Sequence, residues 1–263
     1  MILITGATGN IGKEVLKKVL ENGHRVRAAA INPADARLVP DGAQPVLFDF
    51  SNPQTYPNAL AGISRIFLMR PPQITNMKHT LNPFVDAAKR QGVKQITFLS
   101  LLGVEDHPRV PHFAAEQHIL KSGLPYTFLR PSFFMQNLNT THRQEIAEND
   151  QIFIPVGTAK TSLIDARDVG AVAAKVLTEN GHINQAYDLT GPEALDYEQV
   201  AEIFSDVLKR KITYRDPSLP AFVWHTWRQG TPLPFTMVMA MLYRETKKGS
   251  AEGVSHQVEK ILG

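Results

Sequence analysis

The chain of 263 residues contains no cysteine. That absence removes disulfides, a thiolate nucleophile and cysteine-ligated zinc together. An excess of either charge is also missing: Lys and Arg number 28 against 25 Asp and Glu, a formal balance of +3. So small a surplus gives no footing for a nucleic-acid surface. The densest basic cluster, Lys209-Arg210-Lys211, ends a helical stretch, where cations complement the helix dipole. No apolar run approaches the length of a membrane span. Met1–Thr5 already reads as a strand and leaves no room for the basic and apolar regions of a secretory signal. The expectation is a cytoplasmic protein with no nucleic-acid or membrane partner and no metal site. A homodimer is compatible with the sequence, which fixes no oligomeric state. What is present is ordinary: a hydrophobic fraction of 43% and a charged fraction of 20%, enough for a sizeable core.

Short β-branched apolar runs alternate with longer amphipathic stretches through the first half. Strands are predicted at residues 1–5, 24–30, 44–48, 65–68, 95–99 and 126–129, with helices at 11–22, 33–38, 54–60, 75–91 and 113–122. Ile11, Val15, Val19 and Leu20 form one apolar stripe of the first helix. Gly23, Gly92 and Gly123 follow helices and suit left-handed helix termini. Strands separated by helices call for a parallel sheet covered on both faces. After Asn137 the pattern loosens: a helix over 138–149, a strand at 152–155, a helix capped by Asp168, a strand at 186–190, a helix over 197–208 capped by Asp196, and a strand at 211–215. Residues 217–253 are rich in Pro, Met and aromatics and read as a small, mostly helical lobe. The reading is α/β, a doubly wound parallel (Rossmann) sheet with a smaller C-terminal α+β lobe. Residues 1–137 form the dinucleotide-binding domain and 138–263 the substrate-binding lobe, part of which (152–190) returns to the sheet.

The chemistry begins at the first turn, where an apolar strand runs through Thr5 into Gly6, Gly9 and Gly12, and a helix starts at once. Gly6 permits a tight turn, Gly9 admits backbone to a pyrophosphate, and Gly12 lets the helix pack on the sheet. The helix N-terminus then offers free amides and positive dipole to phosphates. Thr8, Asn10 and Ile11 complete this cofactor-binding loop. A glycine triplet alone is a weak signal, but its place between strand and helix at the head of an alternating series supports dinucleotide binding.

The group about 20 residues further on usually distinguishes NAD from NADP. Here the second strand ends Ala30-Ile31-Asn32-Pro33, with neither the acid nor the arginine. Asn32 suits a ribose hydroxyl and Arg37 a phosphate, or both are solvated loop residues. Asp49 after the third strand suits the adenine amino group with Phe50 alongside the ring, or is a plain turn residue. Arg70, ending the fourth strand, suits a pyrophosphate or a substrate oxygen, or is a surface arginine.

At this point the chain resembles the NmrA-like, atypical short-chain dehydrogenase/reductases. The resemblance rests on Thr5-Gly6-Ala7-Thr8-Gly9-Asn10-Ile11-Gly12, on Asp86-Ala87-Ala88-Lys89 with Gly92-Val93-Lys94, and on Ser100. It continues through the run from Ser122 to Asn137, which includes Leu129-Arg130-Pro131-Ser132-Phe133-Phe134-Met135-Gln136-Asn137, and through Asp165-Ala166-Arg167-Asp168-Val169 and Tyr187-Asp188-Leu189-Thr190-Gly191. It implies an NAD(P)H-dependent oxidoreductase similar to bacterial quinone, azo-dye and triphenylmethane-dye reductases, with NAD or NADP as cofactor. The family also includes dinucleotide-binding redox sensors that catalyse nothing, and that alternative stays open. Ile31 stands where many members carry a phosphate-binding arginine, so a preference for NADP does not carry over. The family also usually runs on past a segment like Val254–Lys260 into another helix, whereas this sequence ends at Gly263.

Typical short-chain dehydrogenases pair Tyr and Lys on the helix after the fifth strand. That pair is absent; the helix reads His112-Phe113-Ala114-Ala115-Glu116, with Ser100 in the place of the family's strand-end serine. Reducing a ketone creates an alkoxide, a base about as strong as hydroxide, which needs a proton donor. A quinone yields a phenolate of pKa about 10. A site without Tyr and Lys therefore suits quinones, azo compounds or conjugated cations. His112 is the candidate proton donor, with Ser100 and Glu116 as catalytic partners; alternatively His112 only forms an ion pair with Glu116, and Ser100 only caps a loop. Phe134 and Asn137, with Trp224, Trp227 and the methionines, line an apolar pocket for a planar substrate, although most of these aromatics and methionines read as lobe core.

Overall fold

The short apolar runs fold as parallel strands joined by helices. The computed structural model describes residues 1–71 and 74–263. In chain order the elements are β1 (Ile2–Ile4), α1 (Asn10–Glu21), β2 (Val26–Ala30), α2 (Pro33–Ala36), β3 (Ala43–Leu47), α3 (Tyr56–Leu60), β4 (Arg65–Met69), α4 (Leu81–Arg90), β5 (Gln95–Leu99), α5 (Pro111–Ser122) and β6 (Tyr126–Pro131). They continue with α6 (Gln136–Asn139), α7 (Arg143–Glu148), β7 (Gln151–Phe153), α8 (Ala166–Thr178), β8 (Gln185–Leu189), α9 (Tyr197–Leu208), β9 (Thr213–Arg215), α10 (Leu219–Arg228), α11 (Leu233–Thr246) and α12 (Gln257–Leu262).

Two compact units result. The first comprises Met1–Pro131, Ala166–Leu189 and Gln257–Gly263; the second comprises Ser132–Asp165 and Thr190–His256. The units break after Pro131 rather than after residue 137, and the expected return of 152–190 to the sheet is narrowed. Residues 166–189 and 257–263 belong with the sheet, because α8 and α12 cover it and β8 pairs with β6, whereas 152–165 stays in the second unit.

The first unit is a seven-stranded sheet in the order β3-β2-β1-β4-β5-β6-β8. Every pairing is parallel, with Ile2 opposite both Val26 and Arg65. The order reverses between β1 and β4, which opens a crevice at their C-terminal ends. Alternate residues serve opposite faces. Leu3, Ile66, Leu68, Ile96, Phe98 and Phe128 pack under α3, α4 and α5, around Phe48, Phe50 and Phe84. The other face carries α1 and α8, held close because a Cβ on Gly170 would lie 2.6 Å from the Glu14 Cβ. Gly23, Gly92 and Gly123 take positive φ of 76°, 74° and 72°, as left-handed helix termini require.

The second unit pairs β7 with β9 in parallel and buries Ile152, Ile154, Tyr197, Phe222 and Tyr243. Asp196 caps α9 in a full capping box with Gln199. Asp168 does not cap α8, which starts at Ala166 and places the acid in its first turn. The helix expected over 138–149 is two short ones, α6 ending at Asn139 and α7 starting at Arg143. The lobe-core reading of 217–253 holds for Phe222 and Met239 but not for Trp224, Trp227, Met237 or Met241, which are exposed. Among the described residues, no helix is long and apolar enough to cross a membrane.

Arg27 on β2 is buried and closes the C-terminal end of α3. Its guanidinium donates to the carbonyls of Asn58 (2.9 Å), Ala59 (3.2 Å) and Ala61 (2.7 Å), and to Gln44 Oε1 on β3. Arg27→Met removes the donor to all four acceptors and leaves the buried Ala59 carbonyl unpaired, and urea unfolding should show a loss of about 1–3 kcal/mol; unchanged stability would contradict this. In the second unit, buried His142 lies 2.6 Å from the Tyr243 hydroxyl. Burial lowers its pKa to about 4, against the opposing field of Glu145. Because the folded value lies below the unfolded one, the unfolded chain gains the proton first as pH falls. Stability should therefore drop between about pH 6.5 and 4. Melting temperatures of His142→Gln across that window should show a shallower slope than the wild type; an identical slope would contradict the assignment.

Candidate functional site

The crevice between β1 and β4 is built by the glycine-rich turn. Gly6 takes φ +64°, and Gly9 is extended (φ −81°, ψ 170°) as the N-cap of α1. No side chain caps this helix and no acid lies in its first turn, so its leading amides remain available to an anion. A Cβ on Gly12 would stand 2.0 Å from the Gly6 carbonyl oxygen and 2.6 Å from its carbon, so only glycine lets the helix start so close to the strand end. These features fit a dinucleotide pyrophosphate. Thr8 and Asn10 are exposed along the turn, whereas the Ile11 side chain is buried and presents only its backbone.

Two residues here escaped sequence reasoning. Buried Thr5 accepts from the Met69 amide at 2.8 Å, which ties β1 to β4 at the mouth of the crevice. The Met69 methyl lies across the turn, 2.0 Å from where a Gly6 Cβ would be. No sequence signal marks Met69; Thr5 was visible only as part of the motif.

At the end of β2, Ile31 is 63% exposed. The side chain of Asn32 caps α2, accepting from the Asp35 amide (2.9 Å) and donating to the Asp35 carboxylate (3.0 Å), so it is engaged before any ribose arrives. Arg37 is exposed at the C-terminal end of the same short helix. Asp49 accepts from the Ser51 amide at 2.8 Å and is partly exposed. Phe50, next to it, packs inward. Its ring is buried, 4.7 Å from Phe48 and 5.5 Å from Phe84 between centroids, and belongs to the core.

The ends of β4 and β5 and the start of α5 bring Arg70, Ser100 and His112 into the first unit's C-terminal edge. Arg70 donates to the carbonyls of Pro71 (3.0 Å) and Ile74 (2.6 Å); burial lowers its pKa to about 10, so it stays charged at neutral pH. Ser100 is buried and its hydroxyl has no hydrogen-bond partner among the described residues. Burial first, and then the Arg70 charge, lower the His112 pKa to about 3. At neutral pH the ring is therefore a neutral imidazole, able to offer a hydrogen bond but holding no proton to spare.

Glu116 does not pair with His112. It is buried and takes a two-pronged contact from Arg130 on β6, with Nε at 3.1 Å and Nη2 at 2.8 Å. Arg130 also reaches Glu105 at 3.0 Å. Burial works against the Arg130 charge, but the bonds to Glu116 and the fields of Glu105 and Asp188 outweigh it and raise its pKa. This ion network anchors α5, and with it His112, to the sheet. Its signal in the sequence was Arg130 itself, the one charged residue of β6.

In the second unit, Phe134 forms a parallel bridge with Ile164, and the Asn137 amide donates to the Phe134 carbonyl at 3.0 Å. Both side chains are partly exposed.

This geometry has relatives. The NAD(P)H azoreductase of Xenophilus azovorans is 36% identical over 270 residues, spanning 100% of this chain and 93% of that protein. The crystal structure of Citrobacter sp. triphenylmethane reductase complexed with NADP(H) superposes with a TM-score of 0.89 at 27% identity, over 100% of this chain and 95% of that one. The NADPH-dependent quinone oxidoreductase of Escherichia coli complexed with NADPH gives 0.88 at 26% identity, over 99% and 94%. The model of the NmrA-like family matches residues 1–260, and the chain belongs to that family.

Proposed function

We propose that this protein is an NAD(P)H-dependent reductase that delivers hydride to a quinone or a similarly conjugated acceptor. The observation that carries the reading is the pairing of an uncapped, glycine-lined helix start with a helix whose carboxylate, Glu116, is taken up by Arg130. A bound reduced nicotinamide supplies the hydride. The α1 amides hold the pyrophosphate, and charged Arg70 at the neighbouring strand end adds a cation. Ser100, buried and without a hydrogen-bond partner among the described residues, offers its hydroxyl to an oxygen of the cofactor or the acceptor. His112 donates a hydrogen bond to the oxygen on which charge develops. A phenolate needs no more than that, and its proton comes from water. Glu116 acts as a positioning residue through Arg130 rather than as an acid. The azo, triphenylmethane and quinone reductases among the relatives support the same acceptor chemistry.

Neither carboxylate nor guanidinium stands at Ile31, so the site accepts both NADH and NADPH with modest discrimination. NADH and NADPH consumption with a panel of quinones and azo dyes should show turnover with both cofactors. The rate should stay flat from pH 5 to 8, because His112 does not titrate there. His112→Ala should lower kcat while leaving cofactor affinity unchanged. Binding without turnover would instead support a dinucleotide-sensing regulator, and an unchanged rate in His112→Ala would remove the imidazole from the reaction.

A further inference from the structure

The chain has two tryptophans, Trp224 and Trp227, and both lie on α10 with 58% and 47% of their surface in water. Residues three apart share a helix face, and α10 already buries Phe222 and Thr226 on another side. Two indoles left in water on one face are an unusual use of apolar surface. Their ring centroids are 5.4 Å apart with planes inclined at 48°, so they form an open wedge rather than a closed stack. The Arg228 guanidinium carbon lies 5.8 Å from the Trp224 ring centroid. These three side chains line an open depression of about 600 Å³.

The segment that carries the wedge has no carboxylate of its own. No Asp or Glu occurs from Pro217 to Arg244. The carboxylate that reaches α10 from outside that stretch, Glu145, is buried and accepts from His225 at 2.7 Å and from Gln229. Arg228 forms no salt bridge among the described residues. An exposed guanidinium beside two indole faces offers a flat apolar surface together with a fork of donors for a planar oxyanion.

We propose that Trp224, Trp227 and Arg228 form a binding site for planar aromatic anions, a fused-ring or biaryl system bearing a sulfonate or carboxylate. The ring system lies against the indoles, and the anionic group meets the Arg228 fork. The site requires binding alone and no turnover. Its failure is therefore distinguishable from failure of the reductase reading.

Because the chain has no other tryptophan, intrinsic fluorescence reports on this wedge directly. The full chain, without nicotinamide cofactor, is titrated with anthraquinone-2-sulfonate and with its neutral 2-hydroxymethyl analogue. The expected result is saturable quenching, with the sulfonate bound roughly tenfold tighter, the gain of one charge-assisted contact of about 1.4 kcal/mol. Arg228→Gln should abolish that preference and leave the neutral ligand's affinity unchanged. Trp224→Leu should weaken both ligands, read through the remaining Trp227 signal. Non-saturating quenching, equal affinity for the two ligands, or a preference that survives Arg228→Gln would each overturn the proposal.

Discussion

The start of α1 stands so close to the end of β1 that a side chain on Gly12 would overlap the Gly6 carbonyl group. That one approach sets where the helix dipole points and where its unpaired amides gather. The positive φ of Gly6 turns the chain sharply enough to allow it, and Thr5 fixes β1 against β4 so that the turn sits at the reversal of the sheet order. The close seat of α8 at Gly170 then holds α1 from behind. An anion-binding crevice follows from these contacts without any basic side chain in the loop.

The other determinant of chemistry is what the sheet edge withholds. Arg130 takes Glu116 out of the site and spends its charge on anchoring α5. His112, one turn earlier on the same helix, has its pKa lowered by burial first and then by the charge of Arg70. In the function proposed above, the helix that in typical short-chain dehydrogenases carries an acid–base pair offers a hydrogen-bond donor alone. Acceptors that stabilise their own negative charge suit that reading, and simple ketones do not.

Much of this was legible in the residues. Helix periodicity and the glycines at helix ends located the sheet and its covering layers, because each such glycine must take a positive φ. The family resemblance, carried by the first turn and the run to Asn137, agrees with the match over residues 1–260. What the sequence did not disclose depends on contacts distant along the chain. Phe50 reads equally well as an adenine neighbour or as core until Phe84 is placed against it. Glu116 could meet His112 one turn away, but Arg130 from another strand wins with two charge-assisted bonds. Trp224 and Trp227 have the spacing of a core stripe, yet α10 buries a different face. The return of residues 166–189 to the first unit lay within the 152–190 stretch read from the sequence, whereas that of 257–263 had no local signal.

Calorimetric titration of NADPH into the wild type, Gly12→Ala and Gly170→Ala tests the central claim most directly. Both substitutions crowd α1, but only Gly12→Ala drives a methyl into the Gly6 carbonyl. The account predicts that Gly12→Ala, folded by far-UV circular dichroism, binds at least roughly tenfold more weakly, the cost of about 1.4 kcal/mol of misplacement. Gly170→Ala should lose stability and keep its affinity. Wild-type affinity in a folded Gly12→Ala protein would contradict the account.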